Sequence, residues 1–300
     1  MPTQLPFRSV LTGASGFVGR RLGVAAGSTP ERLKLSGDDW QARLAAVAWR
    51  DAVVFHLAAR VHEPGNEDLA VFERDNTEKT RALAQAAGQG GARRLVFVST
   101  IKVNGEDSSA GPFRSDDAAK PAGAYATSKW RAELALAEVA RATGLEVAVV
   151  RAPLVMGPGA AGNLAALMAL ADSPWPLPFA SIENGRAMID VDDLVRLLLT
   201  CAAHPAAPGR TWLCAGPRPV STPALVSALR AALRRPRRLF RMPAGSLVTL
   251  ASLGGQGERM RRLVESLEVD DAATSRDLGW RAQIALEASA AKMAQHWRAR

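Results

Sequence analysis

The stretch Phe7-Arg8-Ser9-Val10-Leu11-Thr12-Gly13-Ala14-Ser15-Gly16-Phe17-Val18-Gly19-Arg20-Arg21-Leu22 decides the fold. Phe7 to Leu11 leans apolar and reads as a strand, while the residues around Val18 onward read as a helix. The glycines at the junction stand at 13, 16 and 19. That spacing gives a tight turn, a backbone close enough to touch a pyrophosphate, and close packing of helix on strand. Free N–H groups at the helix start add a partial positive charge facing the same anion. The junction is shaped for a dinucleotide.

Outward from this loop, strands and helices alternate. A helix over about 18–26 precedes Glu31-Arg32-Leu33-Lys34-Leu35-Ser36, a strand. A helix around Trp40–Val47 leads to the apolar strand Ala52-Val53-Val54-Phe55-His56-Leu57-Ala58-Ala59. A helix from Phe72 to Ala87 contains Asn76, and a strand from Arg93 ends in the hydroxyls of Ser99 and Thr100. After the helix stopped by Gly144 comes the strand Glu146–Arg151. Such alternation with short links predicts an α/β fold: a doubly wound parallel-sheet Rossmann domain. It spans 1–160, with 185–202 returning to it. Beyond about residue 160, prolines at 174, 176, 178, 217, 219 and 223 punctuate short segments. A smaller, mixed C-terminal substrate-binding domain over 161–300 is expected there.

One part of the dinucleotide domain is short. Only 43 residues separate Gly13 from His56, and they hold one strand where such domains usually hold two. The Rossmann domain is therefore shortened near its adenosine end. No acidic residue ends a second strand to take the ribose hydroxyls, so the choice between NAD and NADP stays open. Arg20, Arg32 and Lys34 are basic residues that could meet a 2′-phosphate.

Composition narrows the partners. The 300 residues are 48% hydrophobic and 22% charged, which suits a folded core and excludes disorder. Cys201 and Cys214 stand in no metal-ligand or redox spacing, so a reducing compartment and no metal are expected. Met1–Pro6 lacks a secretory layout, and no run approaches the roughly 18 uncharged apolar residues needed to span a bilayer. A cytoplasmic protein with no membrane association is expected. The net charge of +9 concentrates in Arg234-Arg235-Pro236-Arg237-Arg238, Arg241, Arg259, Arg261 and Arg262. With aromatic residues at only 5% and none interleaved for base stacking, an anionic small molecule is the better partner than nucleic acid.

The chemistry points to Tyr125-Ala126-Thr127-Ser128-Lys129. On a helix, Tyr125 and Lys129 stand at i and i+4 and share a face. A phenol with a reference pKa near 10 transfers protons poorly at neutral pH, and a neighbouring ammonium would draw that value down. Ser99 and Thr100 end a parallel strand, where ligands of such sheets gather.

Together these pieces resemble the extended short-chain dehydrogenase/reductases, the sugar-nucleotide epimerase/dehydratase family. The resemblance runs through TGASGFVG at 12–19, VVFHLAA at 53–59, VFVST at 96–100, YATSK at 125–129, RAPLVMGPG at 151–159, NGRAMIDVDDL at 184–194 and LGW at 278–280. HLAARVH at 56–62, STIKVNGE at 99–106, PLP at 176–178 and NGR at 184–186 are similar to one branch. That branch holds sugar-nucleotide 4-ketoreductases of bacterial surface-polysaccharide synthesis, of the UDP-N-acetylquinovosamine type.

The resemblance implies roles. Gly13, Ser15, Gly16, Phe17, Val18 and Gly19 would form the NAD(P) loop, with Asp38 near the adenine and Leu57, Ala58 and Ala59 lining the cofactor. Asn76 would steady the sheet edge. Thr100, with Ser99, would hold the sugar C4 oxygen, Tyr125 would exchange the proton, and Lys129 would bind the nicotinamide ribose while lowering the Tyr125 pKa. Lys102, Asn163 and Arg186 fall to the UDP-sugar substrate, the last two at diphosphate positions. Dehydratases of the family carry an acidic pair after the threonine; here Ile101 and Lys102 stand there, which disfavours dehydration. Reduction of a C4 ketone of a UDP-4-keto-6-deoxy-hexose is the expectation, with UDP-hexose 4-epimerisation on bound NAD as the alternative. A non-catalytic dinucleotide sensor or RNA-associated relative is a further alternative, opposed by the intact Tyr125, Lys129 and Thr100. The family usually forms homodimers.

Overall fold

The computed structural model describes residues 7–27, 29–61 and 68–299; Met1 to Pro6 and His62 of the sequence reading lie outside them. Strand β1 (Ser9–Thr12) leads through the glycine turn to helix α1 (Phe17–Ala25), then β2 (Glu31–Leu33), α2 (Trp40–Ala46) and β3 (Val53–His56). Helix α3 (Leu69–Phe72) runs through a π-helical turn, Glu73–Glu78, into α4 (Lys79–Gln89). Strand β4 (Arg94–Thr100), α5 (Gly123–Thr143) and β5 (Glu146–Ala152) follow. The remainder carries β6 (Leu154–Met156), α6 (Asn163–Asp172), β7 (Met188–Asp190), α7 (Val191–Ala203), β8 (Arg210–Leu213), α8 (Thr222–Ala232), α9 (Ala244–Leu253), α10 (Gly257–Val264), α11 (Ala272–Leu278) and α12 (Leu286–Arg298).

Six strands form one parallel sheet in the order β2-β1-β3-β4-β5-β8. The order reverses between β1 and β3, which opens a crevice at their carboxyl ends. β2 is the outer strand on that side, so among the described residues the sheet lacks the further strand that a full dinucleotide domain places beyond it. The shortened adenosine end read from the sequence is therefore a missing edge strand.

Alternation along the strands sorts the core into two layers. Val10, Val54, Leu95, Phe97, Val147 and Val149 pack against α2, α4 and α5 through Leu44, Leu83, Ala87, Leu136 and Val139. Leu11, Val53, Phe55, Val96, Ala148 and Val150 face the other way, against Leu22 of α1 and Leu194, Leu197 and Leu198 of α7. The inner strands β1, β3, β4 and β5 are buried on both faces, which explains why β3 and β4 read as continuous apolar runs. Truncating a side chain such as Phe97 would cost about 3–5 kcal/mol.

The return to the sheet is wider than residues 185–202. Strand β8 pairs with β5, and Leu278 and Trp280 join the same core layer as α7. Arg94, at the start of β4 and buried, donates through Nη1 to the carbonyls of Cys201, Ala202 and His204 at 2.8, 3.0 and 2.9 Å. Those carbonyls end α7 and have no helical partner of their own, so the guanidinium pins that helix to the sheet. A third apolar cluster, built from α6, α8, α12 and Leu247 of α9, sits beside the sheet with the parallel pair β6-β7. Gly144 closes α5 in the left-handed region at φ 76°, the stop expected of it.

Candidate active site

Two cavities lie at the carboxyl ends of the strands. The first, of about 650 Å³, is lined by Gly13, Ala14, Ser15, Gly16, the backbone run Leu57–Val61 and the end of β2. Its floor tolerates no side chain. A Cβ on Gly13, whose φ is +70°, would fall 2.7 Å from the backbone of Leu57 and Ala58. A Cβ on Gly19 would fall 2.1 Å from the Gly13 carbonyl oxygen. Gly19 thus lets α1 sit hard against the turn, and the first helical N–H groups, of Phe17 and Val18, stay outside the helix ladder that begins with Arg20 N–H to Gly16 O. A phosphate-accepting cradle is what remains, and a dinucleotide fits it.

A buried chain of hydroxyls and a neutral imidazole holds this cradle. Ala58 N–H donates to Thr12 Oγ1 at 3.2 Å, and Thr12 stands 2.6 Å from His56 Nδ1. His56 Nε2 meets Thr80 Oγ1 at 2.7 Å, and that hydroxyl donates to the Asn76 carbonyl at 2.5 Å. The run of donors fixes the tautomer: Thr12 donates to Nδ1, and Nε2 keeps the proton. Burial pushes the His56 pKa down to about 3, with the Lys129 charge adding to the effect.

Asn76 stands beneath the cofactor cavity rather than in its wall. Its Oδ1 accepts from Arg60 N–H at 2.7 Å, and its Nδ2 donates to Arg60 O and to Ser128 Oγ, both at 3.0 Å. Thr77 Oγ1 donates to Ser128 O at 2.9 Å. The π-helical turn aims both side chains at α5 and so fixes the turn that carries Tyr125. Phe72 adds an edge-on contact with the Tyr125 ring, 6.4 Å between centroids. Asn76, expected to steady the sheet edge and to stand among the cofactor residues, lines no part of the cavity and braces α5 against the loop at Arg60.

The second cavity, of about 600 Å³, has Thr100 and Tyr125 in its wall. Thr100 Oγ1 accepts from Lys102 N–H at 3.4 Å, and its side chain shares the cavity wall with the Tyr125 phenol. Burial pushes the phenol up to about 12, and the Thr100 side chain pulls against it. Lys129 does not set that value. It is buried, its Nζ donates to Val98 O at 2.6 Å and lies 3.8 Å from the Phe97 ring centroid, and burial lowers it to about 7 against the pull of Glu133. The expectation that Lys129 draws Tyr125 down gives way because the ammonium points into the strand and is itself desolvated.

Two further sequence assignments move. Ser99 turns away from Thr100, as adjacent strand residues must. Its hydroxyl donates to Glu133, whose carboxylate also holds Arg151 at 2.7 Å; Arg151 reaches Asn104 at 2.9 Å. Ser99 therefore braces the wall behind the site and does not touch it. Asp38 is exposed in the turn after β2 and lines neither cavity. Its displacement follows from the short segment, since β2 ends at Leu33 and the chain turns away before reaching Asp38.

Lys102, Asn163 and Arg186 do line the second cavity. Lys102 Nζ pairs with Glu106 at 2.7 Å, and Arg186 donates to Glu265 O at 3.0 Å. The sequence reading missed the residues brought in by α10. Gln256, Arg259, Met260, Arg262 and Leu263 close the cavity opposite Arg186, and Arg262 is near enough to depress the Arg186 pKa along with burial. Arg259 and Arg262 stand three apart and so share a helix face, a signal hidden within the basic run. Leu154, Leu164, Leu167, Met188 and Leu225 make the remaining wall apolar. Among the described residues no cluster of potential ligands could hold a metal ion.

Comparison with known proteins agrees with this arrangement. Residues 9–215 match the NAD dependent epimerase/dehydratase family. A UDP-glucose 4-epimerase of Vibrio cholerae is 36% identical over 248 residues, covering 81% of this chain and 76% of that protein. RMD from Pseudomonas aeruginosa, solved in complex with NADPH, superposes with a TM-score of 0.77 at 22% identity, covering 98% of this chain and 100% of that one. The UDP-glucose 4-epimerase of Thermotoga maritima, solved with UDP-glucose, gives a TM-score of 0.77 at 19% identity, covering 97% of this chain and 99% of that one. By the family match over residues 9–215 and the 36% identity to a relative covered over most of its length, the chain belongs to the NAD dependent epimerase/dehydratase family and is an NAD(P)-dependent enzyme.

Proposed function

We propose that the protein reduces the C4 ketone of a UDP-linked 4-keto-6-deoxy-hexose with a reduced nicotinamide cofactor. One observation carries the reading: Thr100 and Tyr125 stand together in one cavity wall, and the next two residues are a buried Ile101 and a Lys102 already paired with Glu106. Chemistry at C4 needs a proton partner and an oxygen anchor, both of which are present. Elimination across C5 and C6 needs acids after the threonine, and the side chains there cannot supply them.

The nicotinamide, when bound, supplies the hydride. The chain's own groups do the rest. A phenol held near 12 keeps its proton at neutral pH, which is the state needed to protonate an alkoxide as it forms at C4. The Thr100 hydroxyl donates toward the same oxygen. Arg186, Arg259 and Arg262 offer forked, charged donors suited to a diphosphate, and the leucine-rich wall suits a methyl group in place of a hydroxymethyl. The absent edge strand leaves the adenosine end uncovered beyond β2, which favours a cofactor that leaves after each turnover.

The 36% identity to a UDP-glucose 4-epimerase favours a second reading, interconversion of a UDP-hexose at C4 with NAD retained. A homodimer forms part of either reading. Incubation with reduced cofactor and a UDP-4-keto-6-deoxy-hexose should consume the near-ultraviolet absorbance of the nicotinamide. No consumption with either cofactor would overturn the reductase reading, and stoichiometric NAD⁺ released on denaturing the purified protein would install the epimerase.

A further inference from the structure

The end of β2 is where this fold reads the adenosine ribose, with a carboxylate for the free 2′-hydroxyl of NAD or a cation for the 2′-phosphate of NADP. Here that wall of the cofactor cavity is made of Arg32, Lys34 and Ser36. Leu33 and Leu35 are buried while Arg32 and Lys34 are exposed, so the two cations lie on one side of the extended segment. Among the described residues neither forms an ion pair.

The carboxylates nearby are committed elsewhere. Asp38 lines no part of the cavity. Asp39 is paired with Arg43, whose hydrogen bond holds its carboxyl below the usual range. Arg43 also donates from Nε to Lys34 O at 2.9 Å and from Nη2 to Ser36 O, so the same guanidinium fixes the backbone that presents Lys34 and Ser36. Asp75, the one acid in the cavity wall, is held by Arg60, Arg74 and Lys79 and stays far below the ordinary carboxylate range. Among the described residues, the wall carries Arg32, Lys34, Arg60 and Lys79 with one carboxylate, Asp75, which Arg60 and Lys79 pair with. Arg20, the third basic candidate from the sequence, donates to Ser15 O and is not in the wall.

We propose that Arg32 and Lys34, with the Ser36 hydroxyl, form a binding site for the 2′-phosphate of NADP(H), and that this chain selects NADP(H) over NAD(H). The site sits on the outer strand of the sheet, open where a further strand would otherwise stand, so a phosphomonoester dianion keeps solvent on one side and three donors on the other. The inference rests on the dinucleotide cavity alone and is independent of which reaction follows at C4.

Calorimetric titration of the full chain with NADPH, NADH, 2′,5′-ADP and 5′-AMP tests it without any sugar substrate. NADPH should bind at least about tenfold more tightly than NADH, and 2′,5′-ADP more tightly than 5′-AMP by a similar factor. Both preferences should shrink as salt is raised, because the site is exposed. The double variant Arg32→Ala with Lys34→Ala should bring NADPH down to the NADH affinity and leave NADH unchanged. Equal affinities in the unaltered protein would overturn the proposal, as would a variant that weakens both cofactors alike. Both side chains are exposed, and an unchanged melting temperature of the variant separates a lost site from a lost fold. Failure here with turnover on a UDP-4-keto sugar would leave the C4 reading intact.

Discussion

Asn76 and Ser128 lie 52 residues apart in the chain and share a hydrogen bond of 3.0 Å that joins the π-helical turn to the helix of Tyr125. Ser128 passes the restraint on by donating to the Tyr125 carbonyl at 2.8 Å. The amide of Asn76 also clamps both backbone groups of Arg60, in the loop that lines the cofactor cavity. One buried side chain therefore sets the distance between the cofactor wall and the proton donor. A π-turn inside a helix is a common mark of such duty, because it turns a side chain out of the regular register.

Asn76→Ala should remove the buried amide's hydrogen bonds to both backbone groups of Arg60 and to Ser128, at a cost of about 1–3 kcal/mol in unfolding free energy. The substitution should lower kcat by more than it raises KM, since the group touches neither ligand. Denaturant unfolding and steady-state kinetics check this. Loss confined to stability, with kcat unchanged, would make Asn76 a purely structural residue.

Tyr125→Phe removes one hydroxyl beside Thr100 in the cavity wall and little else. The expected loss in kcat is about 10²- to 10⁴-fold, the range of a positioned proton donor. Dinucleotide affinity and melting temperature should stay near those of the unaltered protein, because the ring still packs beside Phe72. A variant with near-normal turnover would remove Tyr125 from the proton step.

The sheet was legible in the sequence because its inner strands are buried on both faces and its helices end on recognisable residues, Gly144 among them. The short adenosine end was legible too, from the interval between Gly13 and His56. Ser99 was misplaced for a reason the sequence contains: two adjacent strand residues cannot both face the ligand. Asp38 was placed by analogy with a longer segment, and the missing strand carries it away from the ribose. Arg259 and Arg262 could not be placed, since nothing local says that α10 folds back over a cavity whose other wall is Arg186. Lys129 lines neither cavity and does not draw the Tyr125 phenol down, because desolvation acts on both partners of an i, i+4 pair and spacing alone does not weigh it.

Arg259 and Arg262 supply the test of that fold-back. Each sits in the cavity wall with Arg186, where the proposed function has it serve the diphosphate. Arg262→Ala should raise KM for the sugar nucleotide about ten- to a hundredfold, the worth of a hydrogen bond to a charged group, with kcat nearly kept. Arg261→Ala, on the same helix but paired with Glu258 at the surface, serves as the control and should leave KM alone. Equal effects from both would return α10 to the status of a solvated basic face.

The pH dependence of stability follows from Lys129 and His56. Both are bases whose folded pKa is depressed, so the folded chain releases a proton that the unfolded chain still binds. For Lys129 the window runs from about 7 in the folded state to the model-peptide value of 10.5, and stability rises with pH across it. For His56 the window runs from about 3 to 6.5 with the same sign, so stability falls on acidification below 6.5. The raised pKa values of Cys201, Cys214 and Tyr125 act in the opposite sense as the pH nears their ordinary values of 9 and 10, which leaves the interval between neutrality and about pH 8 to Lys129. Urea unfolding midpoints measured across that interval should climb, at up to about 1.4 kcal/mol per pH unit for one proton. Lys129→Met should remove the climb while preserving the fold, since the methionine fills the same apolar slot against Phe97. A slope that survives the substitution would assign the proton to another group, and a flat profile in the unaltered protein would mean that Lys129 keeps its charge when buried.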